Sequence, residues 1–208
     1  MIVAVDGPAA AGKGTLARRL AKHFGYHFLD TGLLYRMTAK AVIDRGATAA
    51  DEAVAVAAAE TLDPEAFGED GLRGEAVAGM ASAVAVIPAV RLALLAYQRG
   101  FAAQPPGAVL DGRDIGTVVC PDADIKFFVT ASPEVRARRR LLELQESGAT
   151  PAYAEVLASI HARDARDSQR AVSPLVPAAD AVVLDTSQMS AGETLKAALA
   201  EIARRDLR

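Results

Sequence analysis

Short apolar runs alternate with longer amphipathic segments along the whole chain. Five of these runs have the length and composition of buried strands; they span residues 2–5, 26–29, 108–110, 124–129 and 181–185. Helical spacing predicts helices over residues 16–22, 33–44, 51–62, 75–86, 89–103, 133–146, 152–169 and 190–205. Because strands that alternate with helices form βαβ units, the pattern predicts an α/β fold with a five-stranded parallel sheet covered on both faces.

The first strand leads into a glycine-rich loop that opens a helix. The loop and helix start comprise Gly7, Pro8, Ala9, Ala10, Ala11, Gly12, Lys13, Gly14 and Thr15. Strand, glycine-rich loop, lysine, hydroxyl and helix is an arrangement that binds a polyphosphate, since loop N–H groups and the helix N-terminus both attract anions. The bare motif also fits an Ala/Gly-rich turn with a surface lysine, but the buried strand before it and the helix after it favour a phosphate site. Gly14 stands where Ser or Thr normally follows the lysine, and the hydroxyl comes one residue later, at Thr15.

Polar residues also follow other predicted strands at the point where each strand ends. The polar strand ends are Asp6, Asp30-Thr31, the turn Asp111-Gly112-Arg113-Asp114, and Asp185. Ligands bind at the carboxyl ends of strands in such sheets. Any one of these clusters fits a turn that merely ends its strand, but we expect three of the four to line one crevice with the phosphate loop.

Composition and charge exclude several classes of function. The 208 residues suffice for one full core with at most a small inserted subdomain. A formal net charge of −3 argues against bulk nucleic-acid binding, and the single cysteine, Cys120, excludes an intrachain disulfide. The longest uncharged stretch, residues 76–90, is too short to span a bilayer, and the N-terminus does not resemble a signal peptide. We therefore expect a cytoplasmic protein that binds neither nucleic acid nor a membrane.

Arginine is concentrated near the predicted strand ends and on one predicted helix. The candidates are Arg36, Arg91, Arg113 and the run Arg163, Arg166, Asp167 and Arg170. The spacing of the run puts its four members on one side of a helix, and Arg is the residue suited to gripping phosphate in a bidentate fork. These arginines predict a second anionic substrate besides a nucleoside triphosphate. For Arg136 and Arg138 we expect a solvated surface.

The inferred site favours phosphoryl transfer to an acceptor that is itself a phosphate. Such transfer requires positioning and neutralisation of charge, which Lys, Arg and Mg²⁺ supply. A phosphate monoester has a second pKa of roughly 6, so it is largely a dianion at neutral pH and needs no general base. Since neither His nor Cys lies near the inferred site, the pattern favours a nucleoside-monophosphate kinase over a kinase that acts on an alcohol.

Four motifs, in order along the chain, resemble those of bacterial-type cytidylate kinases. They are GPAAAGKGT at 7–15, LDTGLLYR at 29–36, DGRDIGTVV at 111–119 and RDARDSQR at 163–170, with PLVPAADA at 174–181 as a further match. The first motif is generic to nucleotide kinases, and the third and fourth together are specific. The resemblance implies a three-layer P-loop kinase fold with a mobile lid. It also implies a monomeric enzyme that transfers the γ-phosphate of ATP to CMP or dCMP with Mg²⁺.

The resemblance implies a role for each matching residue. Lys13 and the amides of residues 7–15 would hold the ATP phosphates, with Thr15 near Mg²⁺, directly or through water. Asp30 and Asp111 would hold water ligands of the metal or orient the acceptor, and Arg139 would move in over the transferred phosphate. The residues implied in catalysis are Lys13, Asp111, Arg113 and Arg139.

The acceptor site is implied in the same way. The CMP phosphate would be gripped by Arg36, Arg113 and Arg170, the cytosine read by Thr31, Ser82, Arg91 and Asp114, and the ribose end held by Tyr35, Arg163 and Asp167. Cytosine offers an amino donor to a carboxylate or hydroxyl, and its N3 and O2 accept from Arg. Asp30 belongs to the same predicted CMP-binding set.

The domain organisation follows from the resemblance. We expect a single P-loop kinase domain over residues 1–208, with a core of 1–30, 105–132 and 171–208. Residues 31–104 would form a helical monophosphate-binding region, and residues 133–170 the lid. Thr31 stands where the family usually has Ser. The inserted subdomain of the family is reduced here to about 63–74, too short for a three-stranded sheet, so we expect a reduced cap and a looser grip on CMP.

Two alternative functions stay open on the sequence. One is a P-loop kinase for another small acceptor, such as UMP or shikimate, although the 111–119 turn argues against shikimate. The other is a non-catalytic nucleotide-binding regulator. A regulator that had lost turnover would lack the acceptor arginines, and this chain has them all.

Overall fold

The computed structural model describes residues 1–64, 71–72, 74–146 and 148–207. The strands are β1 (Ile2–Asp6), β2 (His27–Asp30), β3 (Ala108–Gly112), β4 (Ile125–Thr130) and β5 (Val182–Asp185). The helices are α1 (Lys13–Phe24), α2 (Thr31–Asp44), α3 (Glu52–Glu60), α4 (Glu75–Val84), α5 (Pro88–Ala102), α6 (Pro133–Glu146), α7 (Tyr153–Ser168) and α8 (Ala191–Arg204). Every predicted strand and helix is present, with its ends shifted by a few residues.

In the part of the chain that the structure describes, the strands form one five-stranded sheet of order β2-β3-β1-β4-β5. The central strand β1 pairs in parallel with β3 on one side and with β4 on the other, and β4 pairs in parallel with β5. The register sets Asp6 opposite Gly112 in β3 and opposite Phe128 in β4. The predicted α/β class with a five-stranded parallel sheet is confirmed.

The chain divides into two compact units, of which the first comprises Met1–Phe28 and Ala102–Arg208. Its core packs sheet residues such as Val5 and Phe127 against Leu16 and Leu20 of α1 and Ile202 of α8. Each such side chain contributes about 1.5–3 kcal/mol by its burial. This packing fixes α1, and with it the loop that precedes α1, against the centre of the sheet.

Helices α6 and α7 of the first unit pack against each other through Ala137, Val156 and Ile160. Ala9 and Ala10 of the glycine-rich loop pack against this same apolar cluster. The two helices therefore cover one side of the loop. The assignment of residues 133–170 as a mobile lid stays a prediction.

In the second unit, Leu29–Phe101, the regular elements among the described residues are helices α2 to α5 and the end of β2. Helices α2 and α4 pack through Ala39, Val77 and Ala81, with Tyr35 and Met80 at the margin. Residues 65–70 and Arg73, within the predicted shortened insert 63–74, lie outside the described residues. The role of this unit in holding a monophosphate stays a prediction.

A π-helical turn over Ile115–Val119 follows β3 and was not predicted. Val119 N donates to Asp114 O at 3.1 Å, and Cys120 N donates to Ile115 O at 2.7 Å, each across five residues. Turns of this kind are rare and often lie at functional sites.

Among the described residues no single helix is long and apolar enough to cross a membrane. Ala76–Val84 and Pro88–Ala102 pass that test only when taken together, across a bend of 95°.

Candidate active site

The carboxyl ends of four strands of the first unit meet along one edge of the sheet, because β1, β3, β4 and β5 all run in parallel. β1 leads into the loop at residues 7–12, β3 into the turn that carries Arg113 and Asp114, and β5 into Thr186. Side chains that are distant in sequence are therefore brought to a common edge, as the strand-end pattern predicts.

The glycine-rich loop wraps around the N-terminus of α1. Gly7 has a φ of +150°, and a Cβ there would lie 2.0 Å from the carbonyl oxygen of Val129, so only glycine fits. Gly12 is the N-cap of α1, and the first turn of the helix contains no acidic residue. The first N–H groups of α1 and the positive end of its dipole are therefore available to an anion.

Lys13 and Asp111 lie together where the loop enters α1. Lys13 Nζ is 3.7 Å from Asp111 Oδ1, and both side chains are nearly buried. The same carboxylate accounts for the unusual Gly14, because a Cβ at that position would lie 2.9 Å from Asp111 Oδ2. A Ser or Thr directly after the lysine would therefore require the Asp111 carboxylate to move.

A cavity of about 360 Å³ lies beside the loop. Its wall consists of Ala10, Ala11, Gly12, Thr15, Leu16, Arg139, Glu143, Thr186, Met189, Ser190, Ala191 and Thr194. The volume lies at the lower end of the range typical of small-molecule sites. Because loop residues and the α6 arginine share this wall, a ligand anchored by its phosphates at the loop has space here for the rest of its structure.

Arg139 of α6 contacts the loop and the segment after β5. Its Nη1 donates to Thr186 Oγ1 at 3.0 Å and to Ala11 O at 3.4 Å, and its Nη2 donates to Thr186 O at 2.8 Å. The guanidinium is thereby held at the wall of the cavity, next to the phosphate loop.

The prediction that Arg136 is a solvated surface residue is wrong. Its side chain is 3% exposed, and its two terminal nitrogens donate to the carboxylate of Asp164 in α7 at 2.9 and 2.5 Å. Its Nε donates to Ala131 O at 2.9 Å, and its Nη1 also donates to Ala9 O of the loop at 3.4 Å. Arg138, in contrast, is exposed as predicted.

Three of the arginines predicted to bind the acceptor converge on one buried carboxylate. Arg113 Nε donates to Asp167 Oδ2 at 2.9 Å, Arg170 Nη2 donates to Asp167 Oδ1, and Arg163 Nε lies 4.0 Å from Asp167 Oδ2. Asp167 is 1% exposed. Burial raises the pKa of its carboxyl, but the Arg113, Arg170 and Arg163 guanidinium groups outweigh burial and hold that pKa below its ordinary value. The cluster is therefore ionised and carries a surplus of positive charge.

The predicted single helix face for this arginine run is wrong in two respects. Helix α7 ends at Ser168, so Arg170 reaches Asp167 from beyond the helix rather than from its side. Arg166 is exposed and stands outside the cluster. Because the helix was predicted to end at about residue 169, its single face could not include Arg170.

Asp6, at the end of β1, supports the turn that bears Arg113 and Asp114. It is 5% exposed, and its two oxygens accept the N–H groups of Ile115 and Gly116, each at 2.8 Å. Burial raises the pKa of Asp6 to about 7; the two backbone hydrogen bonds oppose this rise and the nearby Asp114 and Asp111 carboxylates add to it. Asp114 is likewise 5% exposed.

In the second unit, the predicted base-recognition residues occupy α2, α4 and α5. The Arg91 guanidinium lies 5.7 Å from the centre of the Tyr35 ring, and its Nη1 donates to Ala85 O at 3.2 Å. The Oγ of Ser82 is buried and has no hydrogen-bond partner among the described residues. Thr31 is buried and Arg36 is half-buried, both on α2. Asp30 precedes them at the end of β2.

No group of three or more His, Cys, Asp and Glu side chains within the described ranges could hold a metal ion. A magnesium ion that arrives with a nucleotide does not need such a group, since it keeps phosphate and water ligands and takes only one or two from the protein. Thr15 and the Asp111 carboxylate supply oxygen donors of the kind it prefers.

The sequence profile of cytidylate kinases matches residues 3–204. This chain belongs to the cytidylate kinase family. It is 58% identical over 202 residues to the cytidylate kinase of Afipia carboxidovorans, covering 97% of each chain. It is 59% identical over 199 residues to that of Methylocella silvestris, covering 96% of this chain and 92% of the relative. Membership in the cytidylate kinase family confirms the predicted family and enzyme class, an ATP-dependent nucleoside-monophosphate kinase.

Solved structures of low sequence identity support the fold. An uncharacterized protein from Eubacterium ventriosum matches with a TM-score of 0.57 at 10% identity, over 98% of both chains. A gluconokinase from Sinorhizobium meliloti matches with a TM-score of 0.50 at 17% identity, over 98% of this chain and 91% of that one.

Three residues at the site were missed or misjudged from the sequence: Asp6 as a support of the Arg113 turn, Arg136, and Thr186. For Thr186 a signal was present, since Asp185-Thr186-Ser187 directly follows a predicted strand. Arg136 gave no such signal, because its partners lie on another helix and on the loop.

Proposed function

We propose that this chain transfers the γ-phosphoryl group of ATP to CMP or dCMP, with Mg²⁺, through the residues described above. One observation supports the assignment of the donor and acceptor roles. In the first unit, the edge of the sheet that bears the phosphate loop also bears a cluster of three arginines around the single carboxylate of Asp167. A donor-phosphate loop together with a second cationic cluster suits an enzyme that handles two phosphorylated substrates.

The donor half consists of the loop and the cavity beside it. The loop N–H groups, the N-terminus of α1 and Lys13 would bind the phosphates of ATP. The cavity lined by Thr15, Met189 and Ser190 would take its nucleoside end. Mg²⁺, when bound with ATP, neutralises charge on the β- and γ-phosphates. Thr15 and Asp111 would contribute to holding it, directly or through water.

The acceptor half is built around Asp167. Three guanidinium groups and one carboxylate leave a surplus of two positive charges, which equals the charge on a phosphate monoester dianion. Asp167 holds Arg113 and Arg170 in place before the acceptor arrives, so less side-chain freedom is lost on binding. We propose that Arg113, Arg163 and Arg170 bind the CMP phosphate and ribose end in this way, with Arg36 as a further phosphate ligand.

Base recognition rests on polar groups whose hydrogen-bonding capacity suits cytosine. The buried Ser82 hydroxyl has no partner among the described residues, and a buried unsatisfied hydroxyl is costly unless a ligand completes it. We propose that Thr31, Ser82, Arg91 and Asp114 read the cytosine edge. A carboxylate or hydroxyl would accept from the exocyclic amino group, and Arg would donate to N3 or O2.

The reaction forms one P–O bond and breaks another. A phosphate oxygen of CMP attacks the γ-phosphorus of ATP, and the bond from that phosphorus to the β–γ bridging oxygen breaks, so ADP leaves with the electron pair. Because the acceptor is already a dianion, no proton has to be removed. Lys13, Arg113 and Arg139 would stabilise the charge that develops on the transferred group.

The test is the rate of ADP release from ATP with CMP, dCMP, UMP and AMP as acceptors. CMP and dCMP are expected to be the preferred substrates, and a higher kcat/KM with UMP than with CMP would contradict the proposal. Lys13→Ala is expected to lower turnover by about a hundredfold or more while the protein stays folded. Lys22→Ala, which removes an exposed lysine from the same helix, is the matched control and should leave the rate unchanged.

We also propose that the enzyme acts in the cytoplasm and, as the family resemblance implies, that it is a monomer. Light scattering during gel filtration should give the mass of one chain with and without nucleotide. A mass of two chains would contradict the monomer.

A further inference from the structure

Thr186 connects three separate parts of the donor site. It follows β5 and is 2% exposed, and its backbone N–H donates to Thr130 O at the end of β4 at 2.7 Å. Its hydroxyl donates to Ala11 O of the phosphate loop at 2.9 Å and lies 3.1 Å from Thr130 O. The same hydroxyl accepts from Arg139 Nη1, while the Thr186 carbonyl accepts from Arg139 Nη2. One residue therefore holds the sheet edge, the loop and the α6 arginine together.

The contact with Ala11 bears on how the loop binds phosphate. The peptide that joins Ala11 to Gly12 is planar and trans, so its C=O and N–H point in opposite directions. Once the Ala11 carbonyl is fixed by Thr186, the direction of the Gly12 N–H is fixed as well. This N–H is one of the donors that the loop offers to an anion.

The contact with Arg139 bears on the transition state. Arginine has a long, flexible side chain, and a donor that is already oriented stabilises developing charge without a cost of reorganisation. Thr186 supplies two acceptors spaced to match two nitrogens of one guanidinium, which fixes its plane and position. Without the hydroxyl, the contact left to Nη1 among the described residues is the longer one with Ala11 O, at 3.4 Å.

We propose that Thr186 is a positioning residue for phosphoryl transfer, through the Ala11 carbonyl and the Arg139 guanidinium. This inference rests on the proposed role of the loop and of Arg139 in handling ATP. In the proposed scheme Thr186 contacts no substrate phosphate itself. It orients two groups that do, the Gly12 N–H and the Arg139 guanidinium.

The test compares Thr186→Val, which removes the hydroxyl at nearly constant volume, with Thr186→Ser, which keeps it. Thr186→Val should lower kcat with CMP by about 10- to 100-fold and weaken ADP binding by about 10-fold, while KM for CMP stays within about twofold. Thr186→Ser should restore both values to within about threefold of wild type. Thr38→Val is the control: the Thr38 hydroxyl is also buried, and among the described residues its one partner is Leu34 O within α2.

A double-mutant cycle with Arg139→Ala separates positioning from a general loss of structure. If Thr186 acts on turnover through Arg139, adding Thr186→Val to Arg139→Ala should lower kcat by less than about threefold further. Full multiplication of the two effects on kcat would overturn the proposal. So would a Thr186→Val enzyme with wild-type kcat, or a Ser variant no better than the Val variant.

Two further measurements keep the outcome decisive. Thermal unfolding establishes that each variant is folded; if Thr186→Val does not fold, Thr186→Ala takes its place in the same comparison. ADP affinity, measured by calorimetry, needs no acceptor. If the wild type binds ADP but does not phosphorylate CMP, the proposed function fails, and the Thr186 inference is decided by the ADP affinities of the Val and Ser variants alone.

Discussion

Asp6 leads to a quantitative prediction of how the stability of the protein depends on pH. This residue connects the sheet to the turn that carries Arg113 and Asp114. Its carboxyl is buried at the end of β1 and accepts the N–H groups of Ile115 and Gly116. Burial is the main cause that raises its pKa from 3.8 to about 7. In the unfolded chain this carboxyl is solvated and returns to the ordinary value, so the folded protein binds more protons than the unfolded chain between these two pH values.

The direction of the pH dependence follows from this difference. The stability that Asp6 contributes is fully present below pH 4 and is lost as the pH rises through 7. With one pKa unit worth about 1.4 kcal/mol, the two values imply that the free energy of unfolding falls by about 2–3 kcal/mol between pH 5 and pH 8. Above pH 8 the contribution of Asp6 is flat, because the carboxyl is ionised in both states.

The assay is urea unfolding of the wild type and Asp6→Asn at several pH values from 5 to 8. The variant has no titrating group at this position, so its stability should lack this part of the decline, although loss of one acceptor oxygen adds a constant cost. Asp44→Asn, which removes an exposed carboxylate paired with Lys40, should keep the wild-type slope. If the stabilities of wild type and Asp6→Asn fall in parallel over this range, burial does not raise the pKa of Asp6 as described.

Three further substitutions test the geometry of the site. Gly14→Ala should lower kcat by about tenfold or more, because the new methyl group would displace the Asp111 carboxylate. The control is Gly79→Ala, in open space within α4, which should instead stabilise the protein by about 0.5–1 kcal/mol. Equal kinetics for the two variants would contradict the expectation for Gly14. Asp167→Asn should destabilise the fold by about 3–5 kcal/mol in denaturant unfolding and raise KM for CMP, since it leaves three guanidinium groups without their shared carboxylate; an unchanged KM would exclude Asp167 from the acceptor site. Ser82→Ala should raise KM for CMP about tenfold without lowering thermal stability, because the hydroxyl has no partner among the described residues; a loss of stability with unchanged KM would assign Ser82 a structural role only.

The sheet and the loop could be predicted because they depend on local pattern. Apolar runs bounded by breakers determine β1 and β3, and the spacing from Gly7 to Lys13 determines a loop that binds anions whatever surrounds it. The unusual Gly14 was visible in the sequence, but its cause was not. The cause is the Asp111 carboxylate, which the sheet register brings beside it from a distant part of the chain.

The wrong predictions for the arginines have the same cause, since contacts between distant parts of the chain are not visible in the sequence. Helical spacing grouped Arg166 with Arg163 but could not show that the Arg166 side chain faces outward. The same spacing counted Arg170 as part of a helix that ends at Ser168. Arg136 looked like any surface charge, yet its partners are Asp164 on the next helix and carbonyl groups of the loop and of the β4 end. Burial of a charge depends on partners that only the tertiary structure brings together.

Transfer of the γ-phosphoryl group from ATP to CMP is tested most directly by following that group itself. ATP labelled at the γ-phosphate is incubated with the enzyme, Mg²⁺ and CMP, and the products are separated by chromatography. We expect the label to appear in CDP, with one ADP formed for each CDP, and the Lys13→Ala enzyme to form almost none. Label that appears only as inorganic phosphate, or that is released at the same rate without CMP, would contradict it.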